Sequence, residues 1–241
     1  MSGDGRWIAL YSGGKDSYLA LDAAERSGRS VERLVTVDAP PGSYVYHAPA
    51  TAAAALAARA MGTAHDRLDL DGDPGRSSRS AAAREAAPLA SYLEARLAEG
   101  PVAGLVSGVV ASTYQHDLLV SLCDTHGLEL YAPLWGRPGG EVLAALERRG
   151  VAADVVAVAA EGLDRSWLGR RLDASATAEL LALATRRGVH PAGEGGEFET
   201  LVVDAPRFDA PIRYRARRVW DGTRGHLSLE QSWLADEARP G

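Results

Sequence analysis

The sequence predicts an α/β protein, with a parallel sheet covered by helices in the first half of the chain and a second, smaller α/β unit after it. Three observations carry this. Short apolar runs alternate with longer helix-patterned stretches from Trp7 to Tyr131, the trace left by strands joined through crossover helices. Pro133, Gly136, Pro138, Gly139 and Gly140 then fall within eight residues and interrupt both periodicities, so the expected domains are 1–132 and 133–241. Beyond them helix and strand patterns resume. In Ile212 to Val219, apolar residues alternate with Arg213, Arg215 and Arg217, as on a half-exposed strand.

Taken in order, Trp7 to Tyr11 is the first strand, and a tight loop leads to a helix over Tyr18 to Arg26 that Gly28 stops. Leu34 to Val37 is the second strand. Ala50 to Met61 is alanine-rich and ends at Gly62, a helix on propensity. Arg67 to Leu70 is a weak third strand, and Asp71 to Ser80 an exposed loop. A helix over Ala81 to Glu99 precedes Val102 to Val110, apolar apart from Ser107. The glycines of that run fit a buried central strand whose backbone something approaches closely. A helix (Thr113 to Thr125) and a short strand (Glu129 to Tyr131) complete the first unit. The second contains helices over Val142 to Arg149 and Ala176 to Arg187, strands over Asp154 to Ala159 and Phe198 to Val203, and two further strands.

Composition narrows the class. With 241 residues, 46% hydrophobic and 24% charged, the chain is an ordinary globular protein rather than a disordered, collagenous or coiled-coil one, able to bury roughly 70 to 75% of its extended surface. A formal charge of -6 argues against direct, general nucleic-acid binding, which needs a concentrated basic surface. The single cysteine, Cys123, forms neither an internal disulfide nor a Cys-x-x-Cys site. Trp7 to Tyr11 is too short for the core of a signal peptide, and no apolar stretch is long enough to span a bilayer. A cytoplasmic protein without a membrane partner is expected. Of 26 basic residues, Lys15 is the only lysine.

That lysine sits in Ser12-Gly13-Gly14-Lys15-Asp16-Ser17, between the first strand and the first helix. Unpaired backbone N–H groups and the positive helix end face an anion there. The glycines let the backbone curl around a phosphate, the serines add hydroxyl donors and Lys15 a full charge. A Walker A loop would need Gly where Ala9 stands and Ser or Thr where Asp16 stands, and the dinucleotide spacing is also absent. The hexapeptide resembles the pyrophosphate-binding loop of the N-type ATP pyrophosphatases. That resemblance implies a Rossmann-like, adenine-nucleotide alpha-hydrolase-like domain that holds the β- and γ-phosphates of ATP.

A second glycine-rich segment, Gly193-Glu194-Gly195-Gly196-Glu197-Phe198-Glu199-Thr200, sets three acids among three glycines before Asp204-Ala205-Pro206. Dense glycines mark backbone that a ligand can approach, and acids there would orient an amine or ammonium or help hold magnesium. This segment resembles the signature of the diphthine-ammonia ligases. So do Ser112-Thr113-Tyr114-Gln115, Leu134-Trp135, Gly162-Leu163-Asp164 and Trp167-Leu168-Gly169-Arg170, and the tail from Trp220 is similar to archaeal members. The resemblance runs from about Trp7 to Trp233.

It implies a two-domain ligase that uses ATP, with Mg2+ expected, and ammonium to amidate the diphthine carboxylate on translation elongation factor 2. The carboxylate would attack the α-phosphorus, giving an acyl-adenylate and pyrophosphate, and ammonia would then displace AMP. Ser12, Gly13, Gly14, Lys15 and Ser17 would hold pyrophosphate, Asp16 would either coordinate magnesium or fix the loop, and Lys15, Asp16 and Glu197 are the expected catalytic residues. Glu194, Glu197 and Glu199 would position ammonium or the substrate's trimethylammonium, with Gly193, Gly195, Gly196, Thr200, Ser112, Tyr114 and Gln115 on the substrate side. His47 follows the second strand with Tyr44 and Tyr46, on the crevice side of a parallel sheet, and is a further nucleotide-site candidate. Where the family carries an arginine near position 118, this chain has Leu118, so that contact is missing or supplied from elsewhere. The oligomeric state, homo-oligomer or monomer, stays open.

The alternatives are another ligase with the same loop, tRNA-modifying or amidating, and a non-catalytic ATP-binding regulator. Thiolating enzymes usually need paired cysteines and a basic surface, and glutamine-fed ones a glutaminase cysteine motif; none is apparent. Asp69, Asp71 and Asp73 mimic a calcium loop, but Pro74 stands at its required glycine. The arginines of 213–218 are read as a solvated edge strand.

Overall fold

The computed structural model describes residues 5–38, 51–69 and 81–237; His47, Tyr44, Tyr46 and the loop expected over 71–80 lie outside them. In the first strand, β1 (Arg6–Leu10), Trp7 and Ala9 belong to one core and Ile8 to another. Alternate side chains point to opposite faces, so a strand apolar on both needs a cover on each. Helices α1 (Lys15–Arg26) and α2 (Thr51–Ala60) cover one face; α3 (Ala81–Glu99) and α4 (Thr113–His126) cover the other, where Leu89, Leu93, Leu119 and Leu122 meet Ile8. With β2 (Val31–Asp38), β3 (Ala64–Asp69), β4 (Val102–Val106) and β5 (Glu129–Tyr131), β1 forms a five-stranded parallel sheet in the order β3-β2-β1-β4-β5.

The remaining elements are α5 (Gly139–Arg148), β6 (Ala152–Val158), α6 (Ala174–Arg187), β7 (Phe198–Asp204), β8 (Ile212–Trp220) and β9 (Gly225–Leu234). Their four strands form an antiparallel sheet in the order β7-β6-β9-β8. Helices α1 and α2 lie between the two sheets, in one core that also takes in Val155, Leu201 and Leu234. This accounts for the alanines of α2. Ala53, Ala54, Ala57, Ala58 and Ala60 are all buried, and only a narrow helix fits between two packed layers.

Among the boundaries that differ from the sequence reading, three lie next to the two glycine-rich stretches of the first half and the domain junction. The first helix starts at Lys15, so Lys15, Asp16 and Ser17 form its opening turn with Gly14 as N-cap. The apolar run after Pro101 is a strand only to Val106; the Ser107 N–H still donates to the Tyr131 carbonyl of β5, and Gly108 then passes against the start of α1. Gly139 and Gly140 already belong to α5. Strand β8 is an edge strand with Arg213, Arg215, Arg217 and Arg218 exposed, the solvated face expected. No helix among the described residues is long and apolar enough to cross a membrane.

Ion pairs join α1 to the second half of the chain. Arg149 donates to both oxygens of Asp22 at 2.9 and 3.0 Å, and Arg26 donates to Asp22 at 2.9 Å. Burial pushes the Asp22 carboxyl upward, but these hydrogen bonds outweigh it and hold its pKa below the ordinary range. A depressed carboxylate contributes stability above its unfolded pKa, about 3.9, and loses it as pH falls through the lower folded value. Asp22→Asn is therefore expected to have a lower Tm than wild type at pH 7 and a shallower decline below about pH 4. Thermal unfolding across that range checks this, and an equally steep acid decline in both proteins would refute it.

Candidate nucleotide and substrate site

In an open parallel sheet, ligands bind where the strand order reverses, beyond the carboxyl ends of the strands. Here that point lies between β1 and β4, and the loops leaving those strands meet at it. Gly13 has φ +83°, a conformation open to glycine, which turns the chain sharply out of β1. The serines fasten the turn from inside: the Ser17 hydroxyl donates to the Gly14 carbonyl at 2.9 Å, and the Gly14 N–H donates to Ser12 Oγ at 3.3 Å. Gly108, just past β4, lies so close that an added Cβ would sit 2.6 Å from the Asp16 carbonyl carbon and 2.7 Å from the Ser17 nitrogen. This is the close approach that the glycines of Val102 to Val110 indicated.

The second unit closes the cleft. Thr200 Oγ1 accepts the Lys15 N–H at 3.0 Å, and the Val202 N–H donates to the Gly13 carbonyl at 2.9 Å, so β7 lies along the loop. The resulting cavity, about 180 Å³, is lined by Ser12, Gly14, Lys15, Asp16 and Ser17 on one side and Gly193, Glu194, Gly196, Glu199 and Thr200 on the other, with Gln115 from α4. Gly13, Ser112, Gly195 and Glu197 are not among the residues that line it. Tyr114 is 43% exposed, and on α4 the cavity is reached by Gln115 and Leu119 rather than Leu118.

Lys15 is 2% exposed. Its ammonium donates to the Ala192 carbonyl at 2.5 Å and to Asp16 Oδ2 at 2.8 Å, and lies 5.1 Å from the centre of the Phe198 ring. It thus bridges the phosphate loop and the chain just before the second glycine-rich segment. Burial raises the Asp16 pKa above the ordinary carboxylate range, with Lys15 opposing and Glu194 adding to the rise. Asp16 Oδ1 is buried without a hydrogen-bond partner, an oxygen that suits a hard cation. Among the described residues no group of three or more His, Cys, Asp or Glu could hold a metal. Magnesium here would therefore rely on Asp16, with phosphate oxygens and water completing its shell.

The acids of the second segment serve different ends. Glu194 Oε1 accepts the N–H groups of Val110, Ala111 and Ser112 at 3.0, 2.8 and 2.9 Å. Glu197 accepts those of His190 and Gly195 at 2.9 and 2.8 Å, tying the loop to itself. Glu199 is the third acid and lines the cavity.

Sequence reasoning passed over Thr36 and Ser107, cavity-lining polar residues 1% and 4% exposed near the carboxyl ends of β2 and β4. The signal for each was a lone hydroxyl inside an apolar run. The Thr36 hydroxyl donates to the Tyr11 carbonyl at 2.5 Å. Cys123 is buried under the sheet, and burial raises its thiol to about 12, which leaves it inert as a nucleophile.

A glycine-rich loop opening a helix at the switch point of a parallel sheet defines a nucleotide-phosphate-binding α/β protein. Comparison with known proteins narrows this class. The family model described as "Diphthamide synthase N-terminal domain" matches residues 5–130, and "Diphthamide synthase C-terminal domain" matches 141–234. The protein named diphthine–ammonia ligase in Bos taurus is 31% identical over 219 residues, 86% of this chain and 82% of that protein. Those of Danio rerio (31% over 218 residues, 86% and 85%) and Homo sapiens (30% over 219 residues, 86% and 82%) are similarly related. The chain belongs to the diphthamide synthase family.

Proposed function

We propose that this protein is a diphthine–ammonia ligase, amidating the diphthine carboxylate of translation elongation factor 2 with ammonium and converting ATP to AMP and pyrophosphate. The observation that carries the reading is the shared cavity: the phosphate loop and the Gly-Glu segment, far apart in sequence, line one cleft.

A carboxylate resists attack by ammonia because its leaving group would be oxide. In the proposed reaction a carboxylate oxygen bonds to the α-phosphorus as the bond to pyrophosphate breaks. Ammonia, after its ammonium gives up a proton, then attacks the acyl carbon and AMP departs. The protein supplies no covalent nucleophile; its part is alignment and charge compensation. Ser12, Ser17 and Lys15, with the loop N–H groups other than those of Ser12, Gly14 and Lys15, which hydroxyls already engage, hold the departing pyrophosphate, Asp16 is the residue suited to a magnesium ion, and Glu199 faces the cavity where an ammonium would be drawn.

The test is AMP formation with elongation factor 2 carrying diphthine, with and without ammonium. AMP is expected to accumulate with amidated factor when both are supplied. AMP formation indifferent to the factor, or to ammonium, would reject the reading.

A further inference from the structure

We propose that Glu194 is a positioning residue, one that shapes the cleft by capturing the backbone at the start of α4 rather than by binding a cationic substrate. Three consecutive N–H groups, from Val110, Ala111 and Ser112, converge on the single oxygen Oε1 at 2.8 to 3.0 Å. A carboxylate accepting several N–H groups makes strong, charge-assisted bonds, and the positive end of α4 lies alongside. Without an acceptor at that point, three neighbouring donors would lose their partner at once.

The two chain segments joined are 82 to 84 residues apart, and each carries cavity-lining groups. On one side, Ser112 caps α4 by accepting the Gln115 N–H at 3.4 Å, so the captured turn sets where Gln115 enters the cleft. On the other, Glu194 follows Ala192, whose carbonyl holds Lys15. Glu194 thus fixes the distance between the substrate side of the cavity and the phosphate loop. An acid committed in this way acts through its acceptor oxygen. A glutamine, which keeps an acceptor oxygen and discards the charge, is expected to replace it; a cation ligand would not tolerate that exchange.

The activity readout rests on the amidation reading, whereas backbone amide exchange does not. In the full-length protein, Glu194→Ala and Glu194→Gln are compared with wild type by kcat and ammonium KM for amidation, by ATP affinity, and by hydrogen exchange at residues 110–112. The alanine variant is expected to lose about tenfold or more in kcat and to speed exchange at these amides by a similar factor. The glutamine variant is expected to recover both to within about threefold, with the ammonium KM unchanged in either. A glutamine variant as impaired as the alanine one, with raised ammonium KM and amide protection intact, would overturn the proposal. If wild type itself does not amidate diphthine, the functional reading fails, and amide exchange with ATP affinity still decides the role of Glu194.

Discussion

Replacing Lys15 by alanine is expected to lower diphthine-dependent AMP formation by about a hundredfold or more, and replacing it by arginine is expected not to restore it. The alanine variant loses the charge, whereas the arginine variant keeps the charge and loses the fit. The ammonium lies within hydrogen-bond distance of the Ala192 carbonyl and Asp16, below the Phe198 ring, and is 2% exposed. A guanidinium there would need room for a planar fork and more acceptors than the two that Lys15 uses, and a larger group in a packed site strains its surroundings. In the proposed reaction a phosphate in the loop would compete with the Ala192 carbonyl for the same ammonium. Initial rates of AMP release, with thermal unfolding to show that the variants fold, provide the check. Near-wild-type AMP release by the alanine variant would remove Lys15 from the reaction; a fully active arginine variant would refute the steric argument.

The second large effect is expected at Gly108. A methyl group there would meet the backbone of Asp16 and Ser17 at 2.6 to 2.7 Å, and backbone on both sides leaves no flexible side chain to yield. Overpacking of this kind typically destabilises by about 1–3 kcal/mol. For a chain of this length each kcal/mol lowers Tm by roughly 2–4 °C. The strain falls on the first turn of α1, so ATP affinity is expected to drop about tenfold or more as the loop is pushed from β4. Gly140→Ala serves as the control. It lies in α5, and its added Cβ would meet only the end of Leu181, a side chain 41% exposed. Alanine in place of a helical glycine should raise stability by about 0.5–1 kcal/mol. Calorimetric unfolding and ATP titration of both variants check the contrast, and a Gly108→Ala protein matching wild type in both would refute it.

Much of this molecule is local in origin and was legible as such. The continuous apolar run Trp7–Ile8–Ala9–Leu10 reads as a strand covered on both faces, and the hexapeptide from Ser12 to Ser17 reads as an anion site because its turn is built by adjacent residues. The glycines after Val102 indicate close neighbours without naming them; for Gly108 the neighbour is the start of α1, and for Gly104 it is Trp7 and the Glu129 carbonyl. Other features were read differently. The alanines of α2 pointed to helix propensity, while their burial reflects a helix held between two sheets. The three acids of the Gly-Glu segment read alike, yet Glu194 and Glu197 are bound to backbone N–H groups and Glu199 lines the cavity.

By itself, then, the sequence determined the α/β class, the glycine-rich loop at the first strand-to-helix junction and the family, all of which rest on residues close together in the chain or on motifs in a recognisable order. Only the tertiary structure decided what those groups touch: Lys15 with Ala192, Thr200 with the Lys15 N–H, Glu194 with the start of α4, Asp22 with Arg149. Each of these pairs is more than 80 residues apart. No periodicity or spacing encodes such a partner, because it is set by how the two sheets close on α1 and α2, and that closure minimises exposed apolar surface over the whole chain at once.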